Sequence, residues 1–289
     1  MKINNKVIVN ELKEIKQKII DDKKQECLLL TVKEIKQIAK KFHYPSKEIE
    51  IIALNEGMLP SRYQKNYGSI SLSEQIKLLR SKVAVIGCGG LGGNILELLA
   101  RLGVGELIVT DGDRFNESNL NRQILCTEEN LGKSKVKAAV ERVRIINSSV
   151  KVKTYTLFIN PKNIQEIIQG ADLAVDALDN ISARFALEKA CQELEIPLVH
   201  GAVDGFNGQV STIFPQDKGL EQIYGSSKKI NKQKRISRIS VPAVTPALIA
   251  SFQVQEVIKI LLQKGKPLRN ELLFINLEDH DIEILKLDK

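Results

Sequence analysis

The sequence predicts an α/β protein with a doubly wound, mostly parallel sheet, and two observations support this prediction. The first is the run from Lys82 to Gly93, K-V-A-V-I-G-C-G-G-L-G-G, in which an apolar strand gives way to a glycine-rich turn and then to a helix. The second is that short, continuously apolar runs recur along the chain with helical patterns between them. Strands that are buried on both faces of a parallel sheet have this composition.

The bulk composition indicates a soluble globular chain. Its 289 residues are 43% apolar, which is enough for one large domain with a small appendage. Lys and Arg exceed Asp and Glu by 43 − 35 = 8, a charge that suits a nucleotide or an acidic protein partner. Nucleic acid is disfavoured as a partner, because the chain has no Trp and only 4% aromatic residues on which bases could stack.

Signals for membrane insertion, secretion and paired cysteines are not visible in this sequence. No secretory apolar region follows Met1 and no apolar run reaches about 18 residues, so we expect a cytoplasmic protein without a membrane role. The cysteines form no C-x-x-C pair and are interpreted as separate reduced thiols. They are Cys27, Cys88, Cys126 and Cys191.

Residues 1–60 are predicted to form a small helical N-terminal extension. Apolar residues recur at helical spacing from Asn10 to Asp22 and again from Val32 to Ala39. A third such pattern runs from Ser46 to Asn55 and ends near Gly57. The extension is interpreted as a packing or dimerisation element, with recruitment of a partner as the alternative.

Residues 61–289 are predicted to form the main domain. After Gly93 a helical apolar face continues to Gly103, and L-I-V-T-D follows as the next strand, which completes a β-α-β unit. Further buried strands are predicted at 173–178 and 196–201, with a helix between them. This order of strands and helices indicates a Rossmann-like sheet.

The pattern changes past residue 205. The runs V-S-T-I-F, L-L-F-I-N-L and I-E-I-L-K-L are typical of antiparallel strands, so the sheet is predicted to have a C-terminal antiparallel extension. A long helix is predicted between the first and second of these strands, from Pro246 to about Leu262. Thr245 is its predicted N-cap, because threonine caps helices well and proline is favoured at the first helical position.

The glycine-rich turn is predicted to bind the phosphates of a nucleotide. Gly87 permits a tight turn, Gly89 lets backbone N–H groups approach a phosphate, and Gly92 lets the helix pack closely on the strand. Asp111 ends the next strand, 111 − 92 = 19 residues past the last of these glycines, where an acid can bind ribose hydroxyls. At this point NAD and ATP fit equally well.

The residues after Asp111 do not resemble those of a dehydrogenase. The segment D-G-D-R-F-N-E-S-N-L-N-R-Q-I-L, followed by E-E-N-L-G-K-S-K, is polar and basic and is expected to lie beside the nucleotide's phosphates. With G-C-G-G-L-G, A-L-D-N and H-G-A-V-D-G-F-N-G-Q, it resembles the MoeB/ThiF/HesA family of ubiquitin-activating-enzyme-like sulfur-carrier adenylyltransferases. The resemblance runs from about Arg62 to the C-terminus.

The resemblance implies an activity, a partner and a set of site residues. In such enzymes the C-terminal glycine carboxylate of a small ubiquitin-like carrier protein, which ends in Gly-Gly, attacks the α-phosphate of ATP and releases pyrophosphate. The resemblance makes three residues catalytic: Lys135 as a phosphate ligand, Asp179 as the residue associated with Mg²⁺ and the reacting phosphate, and Arg122 as the arginine that reaches the neighbouring subunit of a homodimer. The residues implied to bind ATP are Lys65, Gly87, Gly89, Gly90, Gly92, Asp111, Asp113, Asn119, Arg122, Gln123, Lys135, Asp179 and Asn180.

Simpler interpretations exist for several of these residues taken singly. Arg122 and Lys135 fit exposed surface charges, and Asp179 with Asn180 fits the cap of a helix. Cys88 is interpreted as a small packing residue in the turn. The functional interpretation rests on the joint occurrence of these residues in this order.

The chain departs from the family at its cysteines. Many relatives have two C-x-x-C pairs that bind zinc, and this chain has neither, so no structural zinc is predicted. Some relatives have a cysteine in a loop over the active site, but no cysteine occurs between Gly208 and Lys289. We therefore expect the enzyme to form the carrier adenylate without an enzyme thioester and to leave sulfur transfer to a separate sulfur donor protein.

Two further features concern basic residues. Lys65 stands where relatives usually have an arginine that touches ATP from the partner subunit, and lysine lacks the bidentate fork of arginine. Ser226 to Arg238, within the expected crossover loop at about 216–241, holds six Lys or Arg and no acid. It is interpreted either as a mobile solvated loop or as a segment that closes over an acidic face of the carrier.

Three other functions remain open. One is ATP-dependent activation of a carboxylate on a modified tRNA nucleoside, which the positive charge favours, and another is an inactive nucleotide-binding scaffold. The third is an NAD-dependent oxidoreductase, although of the histidines His43, His200 and His280 only His200 is predicted near the site. The pathway, whether for thiamine, a molybdenum or tungsten cofactor or another sulfur compound, is not indicated.

Overall fold

The structure, a computed structural model, describes residues 5–20, 26–226 and 240–287. Its N-terminal part contains three helices, as predicted, and also a three-stranded sheet of order β1-β2-β3, which was not. The elements are α1 (Asn5–Ile15), β1 (Gln17–Ile20), β2 (Glu26–Leu30), α2 (Val32–Phe42), α3 (Ser46–Asn55) and β3 (Met58–Pro60).

The predicted helical extension therefore contains strands as well as helices. The helix predicted to continue to Asp22 ends at Ile15, and Gln17–Ile20 pairs antiparallel with Glu26–Leu30. Backbone pairing with a neighbouring strand overrides the helical spacing of the apolar residues there. The division of the chain at residue 60 remains a prediction.

The main sheet has eight strands in the order β11-β10-β9-β8-β7-β4-β5-β6. Pairing is parallel from β8 through β7, β4 and β5 to β6, and antiparallel among β8, β9, β10 and β11. This topology confirms the predicted fold class, including the antiparallel C-terminal extension. The strands are β4 (Lys82–Ile86), β5 (Glu106–Thr110), β6 (Lys151–Tyr155), β7 (Leu173–Asp176), β8 (Leu198–Asp204), β9 (Asn207–Ile213), β10 (Glu271–Asn276) and β11 (Asp281–Lys286).

Helices cover both faces of the parallel half, and alternate residues of β4 face opposite layers. Val83 and Val85 pack in the cluster that contains α5, α6 and α10, whereas Ala84 and Ile86 pack in the cluster that contains α7 and α8. The remaining helices are α4 (Leu72–Arg80), α5 (Gly90–Leu102), α6 (Lys135–Ile146), α7 (Ile164–Ile168), α8 (Ile181–Glu193), α9 (Leu220–Tyr224) and α10 (Val244–Leu262).

The long helix α10 begins earlier than predicted. Its first residue is Val244, so Thr245 is not its N-cap, and the Thr245 hydroxyl instead donates to Gly205 O at 2.9 Å. Pro246 still lies in the first turn, where an N–H donor is not needed. Among the described residues α10 is the one helix long and apolar enough to span a bilayer, but its buried side packs in the main core of the protein.

A buried polar cluster joins the N-terminal part to the main domain. Glu50 on α3 is fully buried, accepts from Ser149 Oγ at 2.8 Å and lies 3.4 Å from Arg62 Nε. Asn147, at the end of α6, donates to Tyr63 Oη at 2.9 Å and accepts from Arg62. Burial raises the pKa of Glu50, and the charge of Arg62 opposes that change.

Candidate nucleotide site

The glycine-rich turn lies where β4 ends and α5 begins, and two of its positions accept no side chain. Gly87 has φ 107°, and a Cβ there would lie 2.5 Å from Ala177 O. A Cβ on Gly92 would lie 1.9 Å from Gly87 O, because the first turn of α5 rests directly on the glycine turn. Glycine is therefore required at both positions for steric reasons alone.

The middle of the turn is open. A Cβ on Gly89, the N-cap of α5, would meet only Gln123 Nε2, at 3.8 Å, whereas one on Gly90 would contact Pro246 at 3.3 Å. The first N–H groups of a helix have no partner within the helix and attract anions. The space above Gly89 is thus suited to a phosphate.

Asp111 ties the ends of β4 and β5 together. Its carboxylate accepts hydrogen bonds from Cys88 N–H at 2.8 Å and from Asp113 N–H at 2.8 Å. Cys88 itself is fully buried, and burial raises the pKa of its thiol, with the nearby charge of Asp111 acting in the same direction. These contacts hold the Asp111 carboxylate at the edge of the sheet, beside the glycine turn.

Lys135, the first residue of α6, is a buried cation at this same edge. Its Nζ lies 3.0 Å from Asp113 Oδ2, and its charge acts on Cys88 by opposing the rise of the thiol pKa. The Lys135 side chain is 8% exposed, whereas that of Asp113 is 51% exposed. A buried ammonium needs compensating negative charge, and an anionic ligand at this edge would supply more of it.

The segment between β5 and α6 adds buried amides and an arginine. Asn119 and Gln123 are buried, and Gln123 Oε1 has no hydrogen-bond partner among the residues that the structure describes. The atom of Gln123 beside Gly89 is the donor Nε2, and an amide donor there fits a phosphate. Arg122 is partly exposed and donates to Ser118 O at 2.9 Å and to Asn121 Oδ1 at 2.8 Å.

Asp179 and Asn180 follow β7, on the other side of β4. Asp179 is exposed, and Asn180 Oδ1 accepts from Ala183 N–H at 2.8 Å and so caps α8. Because β4 connects onward to β5 on one side and pairs with β7 on the other, these residues lie at the switch point of the sheet. Ligands of doubly wound sheets bind in the crevice at this point.

Lys65 is not part of this group within one chain. It is exposed on the short 3-10 helix Ser61–Asn66. Tyr63, on the same turn, packs on Gly103 at the opposite end of α5 from the glycine turn. The two ends of this 13-residue helix are about 20 Å apart. The basic segment Ser226 to Arg238 lies outside the described residues, apart from Ser226 itself.

Reasoning from the sequence misses a buried polar group beneath the Asp179 turn. Asp176 and His200 are fully buried, and His200 Nδ1 lies 2.7 Å from Asp176 Oδ2. Burial lowers the pKa of His200, and the hydrogen bond to Asp176 opposes that change. The available signal is Asp176 itself, since a carboxylate inside the apolar run L-A-V-D-A-L requires buried partners.

A glycine turn open to phosphate, a carboxylate at the end of the next strand and a buried lysine beside it define a nucleotide-binding enzyme of the Rossmann-like class. The model of the ThiF family matches residues 63–289, and the chain belongs to this family. It is an ATP-dependent adenylyltransferase.

Relatives of the chain by sequence include enzymes from an archaeon, a bacterium and a plant. The chain is 35% identical over 209 residues to the SAMP-activating enzyme E1 of Haloferax volcanii, covering 72% of this chain and 77% of that one. It is 32% identical over 221 residues to the molybdopterin-synthase adenylyltransferase of Haemophilus influenzae, and the match covers 76% of this chain and 90% of that one. It spans about half the length of the maize adenylyltransferase and sulfurtransferase MOCS3-1, to which it is 34% identical over 80% of this chain.

Solved structures agree on the fold. The chain superposes on E. coli MccB crystallised with MccA with a TM-score of 0.71 and 22% sequence identity. The match covers 90% of this chain and 80% of MccB. At this identity the match supports the architecture of the sheet.

Proposed function

We propose that this enzyme adenylylates the C-terminal glycine carboxylate of a small ubiquitin-like sulfur-carrier protein. The single observation that carries the proposal is the convergence of the open glycine turn, Asp111 and the buried Lys135 at one edge of the sheet. Relatives that are 32–35% identical over the matched residues are named as a SAMP-activating enzyme E1, a sulfur carrier protein adenylyltransferase and a molybdopterin-synthase adenylyltransferase, which supports this substrate class.

The reaction requires positioning and charge stabilisation more than acid-base chemistry. A carboxylate oxygen of the carrier attacks the α-phosphorus of ATP, and the bond from that phosphorus to the oxygen bridging to the β-phosphate breaks. The leaving electron pair goes to pyrophosphate. No proton is transferred, because the attacking carboxylate is ionised at neutral pH. Lys135 and the N–H groups above Gly89 offset the charge that develops on the phosphate oxygens.

The surroundings of Asp179 fit a magnesium ion. Its carboxylate is exposed at the switch point, and one or two carboxylates together with substrate phosphates are a common set of Mg²⁺ ligands. When bound, the ion would neutralise charge on the triphosphate. In this proposal Asp179 holds the ion, and Asn180 fixes the backbone by capping α8.

The proposal includes a homodimer, in which Arg122 and Lys65 reach the partner's nucleotide. Lys65 supports this arrangement, because it lies about one helix length from the glycine turn of its own chain. We further propose that no structural zinc is present and that the product is released as the carrier adenylate. A separate sulfur donor protein would then complete the reaction.

The test is ATP–pyrophosphate exchange with purified candidate carriers. Each carrier is compared with a matched version that lacks only its terminal glycine. Exchange is expected with the intact carrier and is expected to vanish with the shortened one. Exchange that proceeds equally with both versions would overturn the proposed substrate. A nonreducing gel that shows a thiol-sensitive conjugate of enzyme and carrier would overturn the proposal that no thioester forms.

A further inference from the structure

Four side chains, three of them buried and that of Tyr224 half-buried, form a closed ring beneath the turn that carries Asp179. Asp176 Oδ2 lies 2.7 Å from His200 Nδ1, and His200 Nε2 lies 3.1 Å from the hydroxyl of Tyr224. That hydroxyl accepts from Arg184 Nη1 at 2.7 Å, and Arg184 Nε returns to within 3.4 Å of Asp176 Oδ2. The ring thus joins four separate elements within residues 173–224, namely β7, α8, β8 and α9.

A neutral His200 gives the ring a consistent assignment of protons. His200 Nδ1–H donates to the Asp176 carboxylate, so Nε2 of the neutral imidazole accepts from the hydroxyl of Tyr224. Gln209 Nε2 also donates to the Tyr224 oxygen, at 2.8 Å. The charge of Asp176 is balanced by Arg184, which is 8% exposed. Arg184 Nε contacts Asp176 as an ion pair rather than as a hydrogen bond, and the remaining hydrogen bonds of this network resist its rearrangement.

The ring holds both backbone groups of Leu178, the residue directly before Asp179. Leu178 N–H donates to Asp176 Oδ1 at 2.9 Å, and Leu178 O accepts from Arg184 Nη2 at 2.6 Å. On the other side of Asp179, Asn180 caps α8. The exposed carboxylate of Asp179 therefore projects from a backbone that is fixed on both sides.

We propose that the Asp176–His200–Tyr224–Arg184 ring positions Asp179 for its part in adenylylation, which rests on the proposed function of this residue. The ring members are positioning residues, since they act through the backbone of Leu178. Tyr224 lies on α9, so the ring also links the position of α9 to that of Asp179.

The test uses Tyr224→Phe, which removes one hydroxyl and keeps the aromatic side chain, and Arg184→Lys, which keeps the charge but lacks the planar fork that bonds Leu178 O and Tyr224. Tyr44→Phe, in the N-terminal cluster, is the matched control. Amide hydrogen exchange of peptides spanning 177–183 is expected to be roughly fivefold faster in both ring variants and unchanged in the control, since one hydrogen bond contributes about a factor of five. Unchanged protection in both ring variants would overturn the proposal.

A second measurement follows the dependence of ATP–pyrophosphate exchange on Mg²⁺. Tyr224→Phe is expected to raise the Mg²⁺ concentration for half-maximal rate roughly fivefold, and to have no further effect when Asp179→Asn is already present. Equal effects of Tyr224→Phe with and without Asp179→Asn would overturn the proposal. Failure of Asp179→Asn to alter exchange would instead refute the role proposed for Asp179, and hydrogen exchange would still decide whether the ring holds this turn.

Discussion

Replacing Gly89 with alanine is expected to weaken ATP binding while leaving the fold intact. The new Cβ would meet only Gln123 Nε2, at 3.8 Å, and Gly89 has φ −79°, outside the left-handed region that favours glycine. The loss of stability should be about 1 kcal/mol or less, as for alanine at an N-cap. The methyl group would occupy the space for phosphate and cost one charged hydrogen bond, about 1.5–3 kcal/mol. ATP affinity should fall roughly 10- to 100-fold.

Gly92→Ala is the matched control for this prediction. Its Cβ would lie 1.9 Å from Gly87 O, a backbone clash that no side-chain rotation relieves, so stability should fall by about 3 kcal/mol or more. The assays are calorimetric titration with ATP and Mg²⁺, and unfolding in urea. If the Gly89→Ala variant binds ATP with the affinity of the unmodified enzyme, the assignment of the phosphate to this turn is refuted. Gly92→Ala with undiminished stability would refute the steric argument.

Three further predictions concern buried groups. Lys135→Met should lower ATP–pyrophosphate exchange about 100-fold with little loss of stability in urea, because Asp113 is solvated; unchanged exchange would contradict a phosphate role. Glu188 is buried, and burial raises its pKa to about 7 in the folded state, compared with 4.5 in the unfolded state. Between these two pH values the Glu188 carboxyl is protonated in the folded protein and ionised in the unfolded chain. The stability of the fold therefore falls as the pH rises from 4.5 to about 7. Glu188→Gln should therefore gain up to about 3 kcal/mol relative to the unmodified protein between pH 5 and pH 8 in urea unfolding, and parallel pH profiles would contradict this. Tyr63→Phe removes the hydroxyl that Asn147 and Glu50 contact and should cost about 1–2 kcal/mol in the same assay, whereas a negligible change would show that the cluster joining the N-terminal part contributes little.

The sequence predicts the parallel half of the sheet well, because its signals are local. The glycine turn and the apolar runs around it lie within about 30 residues, and the residues at the ends of parallel strands meet at one edge. The contact between Cys88 N–H and Asp111 follows from this arrangement. The predicted roles of Arg122, Asp179 and Lys65 come from the family resemblance and stay predictions.

What the sequence does not predict depends on distant partners. Strand Gln17–Ile20 is short and carries helical spacing, and only its pairing with Glu26–Leu30 selects an extended backbone. The start of α10 is misplaced because the Thr245 hydroxyl bonds Gly205, 40 residues earlier. The ring at Asp176 assembles side chains from four separate elements, and no local pattern specifies which of them meet.

The contacts of α10 have a consequence for how the molecule is made. Pro246 packs against Gly90, and Gln253 Nε2 donates to Asp176 O at 2.8 Å, so the helix touches both sides of the switch point. The two partners Gly90 and Pro246 are 246 − 90 = 156 residues apart, and contacts of this separation form late because a long loop must first close. During synthesis, the strands and the glycine turn emerge well before α10 does. The nucleotide crevice can therefore reach its final form only after α10 has emerged from the ribosome.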